Sequence, residues 1–128
     1  LLLRVADIMR TGDRLAAVPS GSPVREGILA MTAARAGSVA ILDGEGCVLG
    51  IFTDGDLRRH LINGDDLHAL VLDEVMTPDP VTVREDDLAV DVLSLFEQHR
   101  IDDLLVLDRD GRLAGLVDIQ DLPRLKIL

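Results

Sequence analysis

Residues 50–59 have the sequence GIFTDGDLRR, in which a short apolar run leads directly into a helical pattern. Residues 48–52 are typical of a strand, and Leu57 and Leu61 lie one turn apart on the same face of the helix that follows. The start of a helix presents unpaired backbone N–H groups and the positive end of the helix dipole, so an anion can bind there. We therefore interpret the polar residues between this strand and this helix as a candidate binding site.

The same pattern occurs again in the second half of the chain, where residues 115–124 have the sequence GLVDIQDLPR. Residues 74–76 (EVM) likewise match residues 7–9 (DIM). An internal duplication of this kind predicts two similar structural repeats. The positions that match between the two longer stretches are Gly50 and Gly115, Asp56 and Asp121, Leu57 and Leu122, and Arg59 and Arg124.

Each half of the chain predicts the element order strand–helix–strand–strand–helix, so the sequence indicates an α+β fold built from two repeats. We expect the first repeat to cover residues 1–64 and the second to cover residues 73–128. Residues 65–72 would then form a connector between them. In each repeat, an Asp- and Gly-containing turn between two apolar runs predicts a hairpin.

The long helix of each repeat is predicted to begin and end at residues that favour helix boundaries. In the first repeat Ser22 is the expected N-cap, Pro23 the first helical residue and Gly37 the end. In the second repeat Asp87 is the expected cap, and the helix extends to about Arg100. Both helices carry apolar residues beyond one stripe, which predicts burial on several sides, against the other repeat or against another copy of the chain.

Composition argues against several classes of function. The formal net charge of −10 repels phosphate backbones, and Trp and Tyr are absent, so we expect no nucleic-acid binding. No apolar stretch approaches the roughly 20 residues that a bilayer requires, and no signal peptide is recognisable. The single Cys, Cys47, leaves a cytoplasmic location open, which is our expectation. Because the sequence does not begin with Met, we interpret it as a piece of a longer protein.

Motifs for catalysis or metal binding are weak. Residues 108–111 (DRDG) match the start of a calcium loop, but no Glu stands at the closing position, so a hairpin turn is preferred. The three His residues show no ligand-like spacing to Cys47 or to each other, and no nucleophile has a His beside it. We therefore expect neither catalytic residues nor a metal site in this chain.

The spacing Thr53-x-x-Asp56 supports two compatible interpretations. One is a capping box, in which the Thr53 hydroxyl and the Asp56 carboxylate satisfy N–H groups at the helix start. The other is a phosphate and ribose site, with the hydroxyl and free N–H groups for phosphate and the carboxylate for sugar hydroxyls. The recurrence of Asp at Asp121 favours a function in addition to the cap.

The DIM segment, GIFTDGDLRR, VMTP and GLVDIQDL together resemble a tandem pair of CBS (cystathionine β-synthase) domains over residues 5–126. More narrowly, LLLRVADIMRTGD with GIFTDGDLRR and VMTP is similar to the C-terminal regulatory module of bacterial arabinose-5-phosphate isomerases, the sugar isomerase (SIS)–CBS family of Kdo and lipopolysaccharide biosynthesis. In that family an N-terminal SIS domain carries the chemistry and would lie before Leu1. The resemblance therefore implies no isomerase activity for this chain, and it implies two pseudo-twofold-related repeats with a ligand cleft between them.

The resemblance also implies a set of binding residues at positions that match the Thr/Ser-x-x-Asp motif of the family. Thr53 and Asp56 match it fully, whereas Asp118 replaces the hydroxyl before Asp121, so the second site is expected to bind weakly or not at all. Basic residues after the first motif would lie near a phosphate, and the opposite repeat would complete the occupied pocket. The expected ligand-binding residues are Thr53, Asp56, Arg58, Arg59, Asp118, Asp121, Thr82 and Leu104.

Two functions are consistent with these residues. The first is a regulatory module that senses a small-molecule effector, either a nucleotide such as AMP or ATP or a nucleotide sugar such as CMP-Kdo. The alternative is a structural or oligomerisation module that binds no ligand. Thr53 and Asp56 favour the first function, and the lost hydroxyl at Asp118 favours the second. Because CBS pairs usually associate through their apolar helices, the resemblance also implies a homodimer.

Overall fold

The structure is a computed structural model that describes residues 2–123, and it has the mixed helix and strand content that the sequence predicts. The helices are α1 (Val5–Ile8), α2 (Val24–Ala34), α3 (Asp54–Ile62), α4 (Leu72–Val75), α5 (Ala89–Val92) and α6 (Ser94–His99). The strands are β1 (Ala17–Pro19), β2 (Ser38–Leu42), β3 (Val48–Thr53), β4 (Thr77–Pro78), β5 (Thr82–Arg84), β6 (Asp103–Leu107) and β7 (Leu113–Asp118). Short 3-10 turns cover Gly12–Arg14, Leu67–Ala69 and Ile119–Asp121.

The described chain divides into two compact units whose boundaries differ from those of the sequence repeats. The terminal unit combines residues 2–12 with residues 81–123, and the central unit is Asp13–Pro80. The first segment of each repeat therefore folds with the other repeat. The reason is main-chain pairing: Arg10 forms a β-bridge with Leu116 of β7, and β4 pairs with β3.

The central unit contains a four-stranded sheet in the order β1-β2-β3-β4. β1 and β2 are parallel and are joined by α2, whereas β2 and β3 form an antiparallel hairpin, and β4 is antiparallel to β3. A parallel pair requires such a crossover connection, so the predicted strand–helix–strand order is confirmed. Helix α2 packs its buried face on this sheet. The largest buried side chains of this core are Val24, Met31, Val39, Ile41, Phe52 and Leu72.

The terminal unit contains a three-stranded sheet in the order β5-β6-β7. Its strands repeat the pattern of the central unit, because β5 and β6 are parallel and β6 and β7 are antiparallel. The predicted duplication is therefore confirmed at the level of strand pairing. The buried side chains of this core include Val5, Ile8, Val92, Phe96, Leu104, Val106, Val117 and Leu122.

Both predicted caps of the long helices are wrong. The Ser22 hydroxyl donates to the carbonyl oxygen of Pro19 at 2.6 Å within the preceding turn, and Pro23 is the N-cap of α2 instead. The Asp87 carboxylate accepts a hydrogen bond from the N–H of Arg84 at 2.8 Å, again before the helix begins. In both cases the polar side chain is used by the turn that leads into the helix, which competes with capping.

The end of the first long helix differs from the prediction, whereas the second ends where it was expected, near Arg100. Helix α2 ends before Gly37, because Arg35 takes the left-handed conformation with φ of 54°. Arg100 does the same at the end of α6, also with φ of 54°. The single helix predicted over residues 87–100 is divided into α5 and α6 at Leu93, although Leu93 keeps helical backbone angles.

The predicted connector is a packed part of the central unit. Leu72 is fully buried in its core, and the Leu72 N–H donates to the carbonyl oxygen of Ser22 at 2.9 Å.

Helix α3 is packed less closely against the core than this connector is. Leu57 packs against the core, but Leu61, one turn later, is 60% exposed. The helix therefore lies at the edge of the core, with none of its residues fully buried and Leu57 packed against it.

The two hairpin turns are closed by aspartates. Asp43 and Asp108 each accept hydrogen bonds from the N–H groups two and four residues further along, at 2.8 and 3.0 Å. The hairpin interpretation of residues 108–111 is therefore confirmed.

Within residues 2–123, no cluster of three or more His, Cys, Asp or Glu side chains could hold a metal ion. In the same part of the chain, no helix has the length and apolar content that crossing a membrane requires.

Candidate functional site

The central unit carries the first candidate junction, where β3 leads directly into α3. Thr53 is the last residue of the strand and the N-cap of the helix. The Thr53 hydroxyl accepts from the N–H of Asp56 at 3.2 Å, and the Asp56 carboxylate accepts from the N–H of Thr53 at 2.9 Å. The predicted capping box is thus confirmed. Because the Thr53 oxygen is the acceptor in this pair, its own hydrogen remains available to donate to a ligand.

The first N–H groups of α3 differ in their availability. The Asp54 N–H donates to the carbonyl oxygen of Gly37 at 2.9 Å, so it is used within the protein. The Gly55 N–H is one of the groups that helix geometry leaves without an intrahelical acceptor. The guanidinium of Arg59 lies 3.4 Å from the position that a Cβ atom on Gly55 would occupy. A positive charge therefore lies over the start of the helix.

Arg59 reaches this junction through Asp56. Its guanidinium donates to Asp56 Oδ1, and the Arg59 side chain is 68% exposed. An exposed pair of this kind contributes only about 0–1 kcal/mol, so a phosphate could compete for the guanidinium at small cost. Arg58 is also exposed. Of the two arginines, Arg59 is the one that pairs with the capping box, through Asp56.

Ser38 is a residue of this junction that the sequence analysis missed. The antiparallel register pairs Ser38 with Thr53, which places both side chains on the same face of the sheet. Ser38 is only 2% exposed, and its hydroxyl has no hydrogen-bond partner within the described part of the chain. A buried hydroxyl without a partner costs free energy that a bound ligand would recover. The available signal was a lone Ser at the start of an otherwise apolar strand.

The terminal unit carries the second junction, at the end of β7. Asp118 caps the 3-10 turn that follows, accepting from the N–H of Gln120 at 2.9 Å. Arg10 forms a two-pronged pair with Asp121, with Nε 2.7 Å from Oδ2 and Nη2 2.9 Å from Oδ1. Arg10 Nη2 also lies 3.4 Å from Asp118 Oδ2. The predicted helix after Asp118 is thus a 3-10 turn, and Arg124 lies outside the described residues.

The charges of this second junction are balanced within the protein. The hydrogen bond to Asp121 is the largest cause that raises the pKa of Arg10 above its ordinary value, and burial opposes it. The charges of Asp118 and Asp103 raise it further. We expected a bare carboxylate at Asp118 to repel an anionic ligand; the structure shows a carboxylate whose charge is already paired. The sequence does contain a signal for Arg10. When the two halves are matched, Arg10 stands opposite Thr77, so a charged residue replaces a neutral one.

The two remaining predicted residues belong to the terminal unit. Thr82 begins β5 and is partly exposed, and in the parallel register it pairs with Leu105. Leu104 in β6 is fully buried in the core of its own unit. Their roles in ligand binding stay predictions.

The chain matches the family model of the CBS domain twice, over residues 5–63 and 72–125. Among curated relatives, it is 39% identical over 128 residues to the arabinose 5-phosphate isomerase KdsD of Pseudomonas aeruginosa, covering 100% of this chain and 39% of the relative. The KdsD enzyme of Salmonella typhi is 44% identical over 124 residues, covering 97% of this chain and 38% of the relative. The chain thus spans less than two fifths of the length of these relatives.

Solved structures share the fold. The CBS domain pair of protein MJ0100, in complex with 5′-methylthioadenosine and S-adenosyl-L-methionine, superposes with a TM-score of 0.83 at 23% identity, covering 98% of this chain and 97% of that chain. The CBS domain protein PAE2072 of Pyrobaculum aerophilum, complexed with AMP, superposes with a TM-score of 0.86 at 18% identity, covering 98% of each chain.

Proposed function

The chain belongs to the CBS domain family as a pair of CBS repeats, and from this premise we propose that it is a regulatory module that senses an anionic small molecule at the Thr53–Asp56 junction. The observation that carries the proposal is the set of unused donors there. The Thr53 hydroxyl retains its hydrogen, and the Gly55 N–H lies at the positive end of α3. The Arg59 guanidinium, whose pair with Asp56 is exposed, lies 3.4 Å from the position of a Cβ atom on Gly55 and adds positive charge to these donors. These groups suit a phosphate.

The chemistry of this junction favours a nucleotide over a simple phosphate. Asp56 accepts hydrogen bonds, and its two oxygens retain lone pairs for the hydroxyls of a ribose. The buried hydroxyl of Ser38 offers a further polar contact beside Thr53. Solved neighbours of the same fold hold AMP, 5′-methylthioadenosine or S-adenosyl-L-methionine. We propose an adenine nucleotide such as AMP or ATP, or a nucleotide sugar such as CMP-Kdo, as the effector.

The curated relatives extend the proposal to the parent protein. Because the matched relatives are arabinose 5-phosphate isomerases of more than twice this length, we propose that the chain is the regulatory part of such a cytoplasmic enzyme. An N-terminal SIS domain would then carry the isomerisation, and this chain would show no isomerase activity. Turnover of arabinose 5-phosphate by the purified 128-residue chain would contradict this assignment.

One observation favours the alternative function, a structural module that binds no ligand. The second junction is already filled by Arg10, so the fold can persist with a junction that takes no effector. Exposed apolar side chains on two helices, Leu29 and Val90, are also available for association. These features do not account for the unused donors at Thr53, so ligand sensing is the better supported of the two functions.

A thermal-shift screen followed by calorimetry tests the proposal. AMP, ATP, S-adenosyl-L-methionine and CMP-Kdo are added separately to the 128-residue chain. A ligand at about 100 times its Kd stabilises the folded state by about 2.7 kcal/mol, which a melting curve detects. Arg59→Ala should weaken binding about tenfold, which corresponds to about 1.4 kcal/mol, and the neighbouring Arg58→Ala serves as the matched control. Equal effects of the two variants would show that the ligand does not depend on Arg59 at this junction, and no shift with any compound would favour the structural module.

A further inference from the structure

The backbone of Arg10 is held on β7 by hydrogen bonds that do not involve its side chain. The Arg10 N–H donates to the carbonyl oxygen of Leu116 at 2.7 Å, and the Leu116 N–H donates back to the carbonyl oxygen of Arg10 at 3.0 Å. The residue before it, Met9, packs over Gly115 of the same strand. The N-terminal segment, residues 2–12, therefore crosses β7 at one defined position.

From this position the Arg10 side chain reaches the end of the strand. Its fork binds both oxygens of Asp121, and its Nη2 atom also approaches Asp118. The side chains are largely withdrawn from solvent, with Arg10 13% and Asp121 16% exposed. A bidentate guanidinium–carboxylate pair has fixed geometry and is stronger than a neutral hydrogen bond. Removing one partner of a pair this far from water leaves an uncompensated charge.

The central unit shows the same junction without this occupant. Thr77 stands where Arg10 stands, because it lies on Ile51 of β3 as Arg10 lies on Leu116 of β7. Thr77 is exposed and carries no charge, and Thr53 stands at the position of Asp118. The duplicated fold thus has one junction with hydroxyls at the positions of Asp118 and Arg10, and one in which a guanidinium is enclosed by carboxylates.

We propose that Arg10 is an internal ligand of the second junction: the Asp118–Asp121 pair is a guanidinium-binding site, and its occupation by Arg10 fastens residues 2–12 to the terminal unit and closes that junction to external ligands. The site selects a planar, forked cation such as a guanidinium. An ammonium group is a compact point charge and cannot form the same two parallel hydrogen bonds. The inference concerns the terminal unit alone, and it stands whether or not a nucleotide binds at Thr53.

Chemical rescue of Arg10→Ala tests this inference on the whole 128-residue chain. The substitution should lower Tm by roughly 5 °C or more, because it leaves two carboxylates without their cation. It should also speed hydrogen exchange in residues 2–12. Millimolar methylguanidinium should restore part of both losses in Arg10→Ala, whereas equal concentrations of methylammonium or sodium chloride should not. The wild-type chain, whose site is filled, should not respond.

Two further variants keep the inference falsifiable. The double variant Arg10→Ala/Asp121→Ala should lose the rescue, because the carboxylate that binds the fork is gone. Asp121→Asn alone should speed exchange in residues 2–12, which gives a readout if Arg10→Ala does not fold. The exposed Arg14→Ala is the matched control and should change neither Tm nor exchange. Unchanged exchange in Asp121→Asn, or destabilisation of Arg10→Ala that methylguanidinium does not reverse, would overturn the inference.

Discussion

The sulfur of Met9 lies 2.6 Å from the position that a Cβ atom on Gly115 would occupy. The carbonyl oxygen of Arg10 lies 2.8 Å from the same position. β7 therefore passes beneath the N-terminal segment at a residue that has no side chain. The central unit repeats this contact, because Met76 packs over Gly50 of β3 in the same way. This explains why glycine recurs at the same place in the two halves of the sequence.

Gly115→Ala should therefore lower the free energy of unfolding by about 1–3 kcal/mol, the usual cost of overpacking. The Met9 side chain could move, but the backbone oxygen of Arg10 is held by the bridge to Leu116 and could not. Urea denaturation of the variant and the wild type measures the difference. Gly44→Ala is the matched control, since nothing lies within 4 Å of its added Cβ. Equal losses in the two variants would show that the close approach is not the cause.

Much of the fold follows from local sequence. Residues 50–59 predict the strand, the helix and the capping box of Thr53 and Asp56, and the structure contains all three. The signals are local because the strand pattern, the cap and the helix period all lie within a few residues of each other. The duplication then predicts the second unit from the first.

The features that the sequence did not predict depend on distant or unusual partners. Arg10 and Asp121 are separated by 111 positions, and no local pattern links them. The exchange of residues 2–12 between repeats has the same origin, because it depends on a bridge to Leu116. Arg35 takes left-handed angles that favour glycine, so the use of Gly37 as the end signal placed the end of α2 beyond its observed last residue, Ala34.

We expect one carboxylate of the central unit, that of Asp73, to make the free energy of unfolding fall in acid. The Ser20 hydroxyl donates to Asp73 Oδ2 at 2.5 Å, and the Gly21 N–H donates to Oδ1 at 2.8 Å. These hydrogen bonds, that of Ser20 first, lower the pKa of Asp73 below its ordinary value. A lowered pKa in the folded state stabilises the fold above the unfolded value, and this stabilisation is lost as the pH falls through the folded value.

We therefore expect Asp73→Asn to reduce the free energy of unfolding near neutral pH and to flatten its decline below about pH 4. Because Asp73 is near the surface, the difference should be under about 1 kcal/mol. Chemical denaturation at a series of pH values measures it. Asp110→Asn removes another exposed carboxylate and is the control. The same flattening in both variants would assign the effect to total charge.

Apolar side chains on two helices predict association of the chain with itself. Leu29 on α2 and Val90 on α5 are exposed, in agreement with the expected second apolar face of each long helix. Burying such surface between two copies removes it from water, and a twofold axis would use the same faces on both. We expect light scattering at micromolar concentration to give the mass of a dimer. Leu29→Glu/Val90→Glu should reduce that mass to a monomer, whereas Leu61→Glu on α3 should not.

Two of the side chains that distinguish the junctions, those at the positions of Asp118 and Arg10, can be transferred from the terminal unit to the central unit. In the central unit, Thr53→Asp combined with Thr77→Arg would reproduce the pair that Asp118 and Arg10 form in the terminal unit, since Asp56 already stands at the position of Asp121. The double variant should keep its fold and lose the ligand found in the screen, because its own guanidinium occupies the junction. Thr53→Asp alone should lose the ligand and stability together, because a second carboxylate then lies close to Asp56, whose partner Arg59 is exposed and compensates the added charge only weakly.

Calorimetry measures the result as affinity and number of sites per chain. The wild type should bind one ligand per chain, Asp56→Ala should abolish binding, and Asp121→Ala should leave the number of sites at one while lowering Tm. The double variant should bind at least tenfold more weakly than the wild type, a difference of about 1.4 kcal/mol. Two equal sites in the wild type would show that Arg10 does not close the second junction. Undiminished affinity in Thr53→Asp/Thr77→Arg would show that the ligand binds elsewhere in the chain.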